Sequence, residues 1–382
     1  MSDTFFKLDP EIIVGRDTIN RAGSLAAKHG SKILIAVEQK LRENDLVDRL
    51  VKILEDSGLS TIIFDEIPTQ VTADAAESGA SLARGSRCDL VIGFGGLKTQ
   101  SIARLVSIMA SSSFGVYEFL DGRREESSGI PYIAIPTASS GDPFLLTDYF
   151  PAIDPRDKLV KLVRFPYVLC RSVIIDASLF EPLSDQHAST AAFDGICASL
   201  EAYCSSSACF LSDAFLEQAI SRYARILHSY TDSQPFDYLS ASANAGFLMS
   251  LAIPISPPGI GTALSYSLSG KFQIPKSWCS TVVLPYVMEK LVAAKPERMA
   301  RAALLMGEAV DEIPKSDAAN MAIELVRRLM GQLEVPARLK DFDLFLDRLV
   351  PIAEAARGLE FVSASPWTVT SEGAYDILKQ AF

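Results

Sequence analysis

Histidine is nearly missing from this sequence: 382 residues include three, His29, His187 and His228. That scarcity restricts any chemistry built on imidazole ligands. The six cysteines (Cys88, Cys170, Cys197, Cys204, Cys209 and Cys279) form no CxxC pair and sit mostly in apolar contexts. They read as buried thiols of a reducing compartment. No stretch is continuously apolar for about 20 residues, and the start, MSDTFFKLDPEIIVG, has no basic segment followed by an apolar one. The expectation is a cytoplasmic protein without a membrane anchor. Positive charge is also short, with 36 Lys and Arg against 47 Asp and Glu, a formal net charge of −11, and no dense basic run. Nucleic acid and anionic membrane surfaces are therefore not expected partners.

What is present describes an ordinary globular chain. Apolar residues make up 48% and charged residues 22%, enough for a substantial core. At about 150 residues per domain the length suggests two domains. Up to Asp176, β-branched runs alternate with helical patterns, the signature of parallel strands joined by crossover helices. Ile33–Val37, Thr61–Phe64, Leu90–Phe94, Tyr132–Ile135 and Val173–Ile175 read as strands. Between the first two, Leu46, Leu50, Val51 and Leu54 share one helical face and Gly58 supplies a stop. After Asp176 the strand signal disappears and period-3.6 patterns follow, broken by Pro and Gly clusters such as Ile253–Gly261. The expected fold is an α/β dinucleotide-binding domain with a parallel sheet over residues 1–176, then an all-α domain over 177–382. Asp176 to Leu183 would be the hinge, with a small-molecule cleft between the halves.

Four features carry candidate chemistry. The strand ending at Phe94 runs into Gly95-Gly96-Leu97-Lys98-Thr99-Gln100, with a helix expected from about Ser101. Glycines at such a turn let the backbone approach a pyrophosphate, and a helix N-terminus favours its charge. A tight turn that needs glycine for geometry alone would look the same. Glu38 closes the first strand of that series, where a carboxylate can accept from an adenosine ribose and repel a 2′-phosphate; an exposed strand-end Glu is the plainer alternative. Pro136-Thr137-Ala138-Ser139-Ser140-Gly141-Asp142 is a small-hydroxyl loop suited to phosphate or ribose, or simply a polar turn. In the second half, Ser184 or Ser189 can cap a helix running to about Tyr203, on which Asp194, Ala198 and Glu201 share one face. A lone helix carboxylate is more often solvated than functional.

In this order the segments resemble the iron-containing alcohol dehydrogenase family, relatives of glycerol dehydrogenase and, more distantly, of dehydroquinate synthase. The similarity runs from EIIVGRDTINRAGSLAAKHGSKILIAVE through GGLKTQSIAR, AIPTASSGD, VIIDASLFEPLS, AAFDGICASLEAY and GIGTALSYSLSGKFQIPKSWCSTVVLPYVM to SPWTVTSEGAYDILKQAF. The resemblance implies the two-domain, dehydroquinate synthase-like fold, a homodimer, and hydride transfer between NAD(P) and a small alcohol or aldehyde. Gly95 and Gly96 match the phosphate-binding glycines, Glu38 the ribose-binding acid (favouring NAD), and Thr137 and Ser140 hydroxyls near the nicotinamide end.

The match also has gaps. Leu97 stands at the third family glycine, Lys98 at a serine and Ser101 at an aspartate; Leu97 crowds the backbone, whereas Lys98 adds positive charge near the phosphates. In the family an Asp and three His hold Fe²⁺ or Zn²⁺ as a Lewis acid. Asp194 matches the Asp, but Ala198, Ala263 and Lys276 stand at the His positions and Ser267 at a further His near the site. One carboxylate cannot replace three imidazoles, so the family metal is expected to be absent. Lys276 can pair with Asp194 and hydrogen-bond a substrate oxygen, or it can be a structural salt bridge. The expected activity is a small-molecule oxidoreductase; the alternative is a catalytically silent relative that binds a nucleotide or small ligand.

Overall fold

The computed structural model describes residues 6–43, 45–67, 73–123, 129–138, 141–165, 170–180, 184–232 and 236–382. The chain divides into two compact units. The first holds the described residues from 7 to 138 and from 144 to 180; the second holds those from 184 to 382 together with Phe6 and 141–143.

The first unit is α/β, as its alternating pattern predicts. Its strands are β1 (Glu11–Gly15), β2 (Lys32–Val37), β3 (Ser60–Phe64), β4 (Leu90–Gly95), β5 (Tyr132–Pro136), β6 (Tyr149–Ile153), β7 (Val160–Arg164) and β8 (Cys170–Asp176). Six of them form one sheet in the order β1-β8-β5-β4-β2-β3, every pair parallel, while β6 and β7 make a separate antiparallel hairpin. All of β4 and nearly all of β2 is buried, which is why KILIAV and LVIGFG read as continuous apolar runs rather than alternating ones. The Leu46–Asp56 crossover helix buries Val47, Leu50 and Leu54, with Leu46 and Val51 half-buried, and the chain leaves it through Gly58 at φ +77°. At the end of β8 the buried carboxylate of Asp176 accepts from the Asp17, Ile19 and Ser178 amides, each at 2.9 Å, tying the β1 exit to the sheet.

Sheet order decides where a ligand can sit. β2 lies between β3 and β4, so the connections after β2 and β4 leave in opposite directions across the sheet. Open α/β sheets bind ligands at the carboxyl ends of strands flanking such a reversal. The register pairs Val37 with Phe94 and Gly95 with Pro136, which aligns Glu38, Gly96 and Thr137 along one edge.

The second unit contains no strand among its described residues. Its longer helices include Asp185–Cys204, Phe210–Asp232, Tyr238–Ala252, Ile260–Phe272, Lys276–Ala294 and Lys315–Gln332. The Asp185–Cys204 helix is buried on every side from Ala188 onward, its polar residues Asp194 and Glu201 included. Of the two candidate caps the structure uses Ser184, whose hydroxyl accepts from the His187 amide. Gly195 lets this helix meet the Phe210–Asp232 helix: a Cβ there would lie 2.2 Å from Cζ of Tyr223. No helix among the described residues is long and apolar enough to cross a membrane.

Candidate functional site

At the sheet edge, Glu38 Oε1 accepts from the Gly96 amide and from the Thr99 hydroxyl, both at 2.8 Å. The helix after β4 begins at Leu97, a turn earlier than its sequence pattern suggests, because extended Gly96 serves as its N-cap residue. Lys98 and Thr99 therefore belong to the first helical turn, where unpaired amides favour an anion. The two glycines are there for space. A Cβ on Gly95 would stand 2.7 Å from Thr99 Oγ1, at a φ of +156°, and one on Gly96 would press to 3.2 Å from Glu38 Oε1. Burial pushes the half-buried Lys98 below its usual value, and the nearby Glu38 charge opposes this. The Thr137 amide donates to the Gly95 carbonyl at 3.1 Å, which joins the third predicted segment to this edge. Ser140 lies outside the described residues; Gly141 beyond it adopts φ +75° and packs its backbone against Gly246 of the helical unit.

Three residues hold the edge in shape, a role that the sequence did not show for Gln100 and Ser101 and did not suggest at all for Arg104. Buried Gln100 donates from Nε2 to the carbonyls of Gly93, Gly95 and Ile135 at 3.1, 2.9 and 3.2 Å, and accepts from the Tyr132 hydroxyl. Ser101 donates to the Pro151 carbonyl at 2.9 Å, tethering the β6–β7 hairpin. Arg104 donates to the Phe144 and Leu145 carbonyls, both at 2.9 Å. The available signal was the polar run Lys98–Ser101 and the isolated Arg104 on a helix whose remaining residues are mostly apolar.

In the helical unit, Lys276 Nζ lies 2.7 Å from Asp194 Oδ1, with side-chain exposures of 9% and 4%, and 4.7 Å from the Tyr266 ring centroid. Glu201, two turns beyond Asp194, accepts from the Gly261 and Thr262 amides at 2.5 and 2.9 Å and from the Thr262 hydroxyl at 2.7 Å. It thereby anchors the start of the Ile260–Phe272 helix, which carries Ala263, Tyr266 and Ser267. Burial raises its carboxyl above the ordinary range, against the pull of those bonds. The sequence placed Glu201 on the Asp194 face without showing this role.

The donor set does not fit a transition-metal ion. One oxygen of Asp194 is taken by an ammonium, and Ala198 and Ala263 offer only methyl groups. Burial pushes the Cys197 and Cys279 thiols far above their usual value, away from the thiolate a metal needs. His187 pairs through Nδ1 with Ser184 at 2.7 Å and lies tilted against the Trp278 ring, and His228 Nε2 contacts the Met306 carbonyl at 3.0 Å. Among the described residues no group of three or more His, Cys, Asp or Glu is arranged to hold a metal.

Comparison with known proteins covers the whole architecture. The family model described as iron-containing alcohol dehydrogenase matches residues 9–177, and that for the C-terminal part of the Fe-containing alcohol dehydrogenase family matches residues 188–382. The 1,3-propanediol dehydrogenase of Klebsiella pneumoniae is 26% identical over 92% of this chain and 92% of its own length. The NAD-dependent methanol dehydrogenase of Bacillus methanolicus is 22% identical over 99% of this chain and 100% of its own. A crystal structure of a 1,3-propanediol oxidoreductase superposes with a TM-score of 0.90 at 23% identity, covering 100% of both chains. With both halves matched in order, the chain belongs to the iron-containing alcohol dehydrogenase family.

Proposed function

We propose that this protein is a nicotinamide-dependent oxidoreductase that interconverts a small alcohol and its aldehyde or ketone, using NAD in preference to NADP. The observation that carries the reading is the sheet edge, where Glu38, Gly96 and the first turn of the Leu97–Met109 helix meet. Glu38 has one oxygen on the loop, and its carboxylate accepts from the ribose hydroxyls of NAD while opposing a 2′-phosphate. The helix start and Lys98 hold the pyrophosphate, and Thr137 and Ser140 supply hydroxyls near the nicotinamide end. A bound nicotinamide supplies or accepts the hydride. On oxidation the carbinol C–H bond breaks and its hydrogen goes with both electrons, as hydride, to NAD, while the O–H bond breaks and its proton is released to solvent, so the two electrons and two protons of the oxidation are accounted for. The named relatives carry alcohol and diol dehydrogenase activities in their names, consistent with this reaction. The same reading expects a cytoplasmic homodimer, checked by sedimentation at micromolar concentration.

The mismatched metal donors and Leu97 favour a second reading, a silent relative that binds nucleotide without turnover. Thermal unfolding with NAD, NADH, NADP and NADPH separates the two together with turnover assays. A ligand at about 100 times its Kd stabilises by about 2.7 kcal/mol. Stabilisation without oxidation of any short alcohol or reduction of any short aldehyde selects the silent relative; no stabilisation by any of the four defeats both.

A further inference from the structure

The Asp194–Lys276 pair has unused hydrogen-bonding positions. Their mutual hydrogen bond is the only one that either side chain makes among the described residues. An ammonium carries three N–H bonds and a carboxylate two oxygens. One N–H meets Oδ1 and one face of the ammonium lies over Tyr266. At least one N–H and Oδ2 remain. A charged group held out of water with an unmet hydrogen-bonding position is destabilising, and a pair kept for stability alone gains little over apolar residues of equal volume. Ser267 Oγ, one residue beyond Tyr266, is also fully buried without a partner among the described residues.

We infer that Asp194 and Lys276 form a two-point clamp for a substrate oxygen, standing where the family's chemistry places a metal ion. The free N–H of Lys276 donates to the alcohol or carbonyl oxygen, and Asp194 Oδ2 accepts the hydroxyl hydrogen of the alcohol. On oxidation the O–H bond breaks with its proton leaving by way of Asp194 Oδ2, and the ammonium meets the negative charge this leaves on the oxygen until hydride departs to NAD; in the reverse direction it meets the charge that grows there as hydride adds to the carbonyl carbon. The pair is neutral as a whole, so it fits a small uncharged hydroxyl compound; a carboxylate or phosphate would have to displace Asp194. The reaction assigned to the clamp rests on the proposed function, but its ligand preference does not.

A primary amide offers an acceptor and a donor on neighbouring atoms and is not reduced, whereas the isosteric ketone offers the acceptor alone. Calorimetric titration of the full chain, with and without NADH, is expected to show propionamide binding about tenfold tighter than butanone, the worth of one hydrogen bond. Metal content is expected to be substoichiometric and a chelator without effect. Lys276→Met is expected to weaken the amide about tenfold or more. Asp194→Asn keeps the shape and the Lys276 donor but turns an N–H₂ toward the ligand, so it is expected to abolish the preference for amide over ketone even if the Lys276 variant fails to fold. Stoichiometric iron or zinc whose removal abolishes binding would overturn the clamp, as would equal amide and ketone affinities in the wild type or an unchanged preference in Asp194→Asn. Coenzyme binding is scored separately: amide binding without any response to NAD or NADH sinks the proposed oxidoreductase and leaves the clamp standing.

Discussion

Replacing Glu38 by Gln tests the coenzyme edge with the least disturbance. The amide keeps the shape of the side chain and a carbonyl oxygen for the Gly96 and Thr99 donors now at 2.8 Å. Only the charge is removed. Hydrogen bonds to an ionised acceptor contribute roughly 1.5–3 kcal/mol against 0.5–1.5 for a neutral one, so the ribose of NAD is expected to lose about 1 kcal/mol. For NADP the change has the opposite sign. Two unit charges 4 Å apart repel by about 4 kcal/mol at an effective dielectric of 20 and by about 1 in water, and for half-buried Glu38 a value of about 2 kcal/mol is appropriate. Together these make a swing of about 3 kcal/mol, a roughly 100-fold fall in the ratio of the NADPH to NADH dissociation constants. Fluorescence titration of both coenzymes against wild type and Glu38→Gln reads that ratio directly. A ratio unchanged in a variant with unaltered thermal unfolding would refute the assignment of Glu38 to the ribose.

Three further outcomes follow from particular contacts. Gly195→Ala places a methyl group 2.2 Å from the buried Tyr223 ring and is expected to destabilise by about 3 kcal/mol in urea unfolding; a loss near zero would mean the two helices are not packed this closely. Because burial raises the Glu201 carboxyl above 4.5, its contribution to stability is complete below pH 4.5 and falls as pH rises through the folded-state value. Glu201→Gln should flatten that decline, and parallel stability-against-pH curves for the two proteins would contradict it. Burial also lowers Lys98, so NADH affinity should weaken with rising pH before the ordinary lysine value of 10.5 is reached, and Lys98→Met should cost about tenfold at neutral pH and abolish the dependence. A variant that retains the alkaline loss would exclude Lys98 as its source.

The sheet was legible because its central strands are covered on both faces, and double burial writes itself as unbroken apolar runs in β2, β4 and β5. β1 escaped because it is a half-buried edge strand of five residues that follows Pro10 and ends on Gly15. The hairpin escaped because Pro151 interrupts β6 and its turn relies on Lys158 at φ +62° rather than on glycine. Glu38 and Gly96 were each visible as residues ending strands, but their hydrogen bond depends on parallel register, which no local pattern carries. Asp194 and Lys276 stand 82 positions apart, and in the sequence only the resemblance to a family pairs them; the 2.7 Å contact is tertiary.

Asp194 and Glu201 show what the helical unit does with buried acids two turns apart on one helix. Glu201 is met by neutral donors at the start of the Ile260–Phe272 helix, an arrangement the helix dipole favours. Asp194 is met by Lys276, the first residue of its own helix, where the same dipole opposes a cation by about 0.3–1 kcal/mol. A hydroxyl side chain at that helix start would answer Asp194 without this penalty and without a surplus N–H. Structural economy therefore accounts for Glu201 and its partners but not for the choice of lysine at 276. The clamp we infer, which needs positive charge beside a carboxylate and one donor left over for a substrate oxygen, accounts for it.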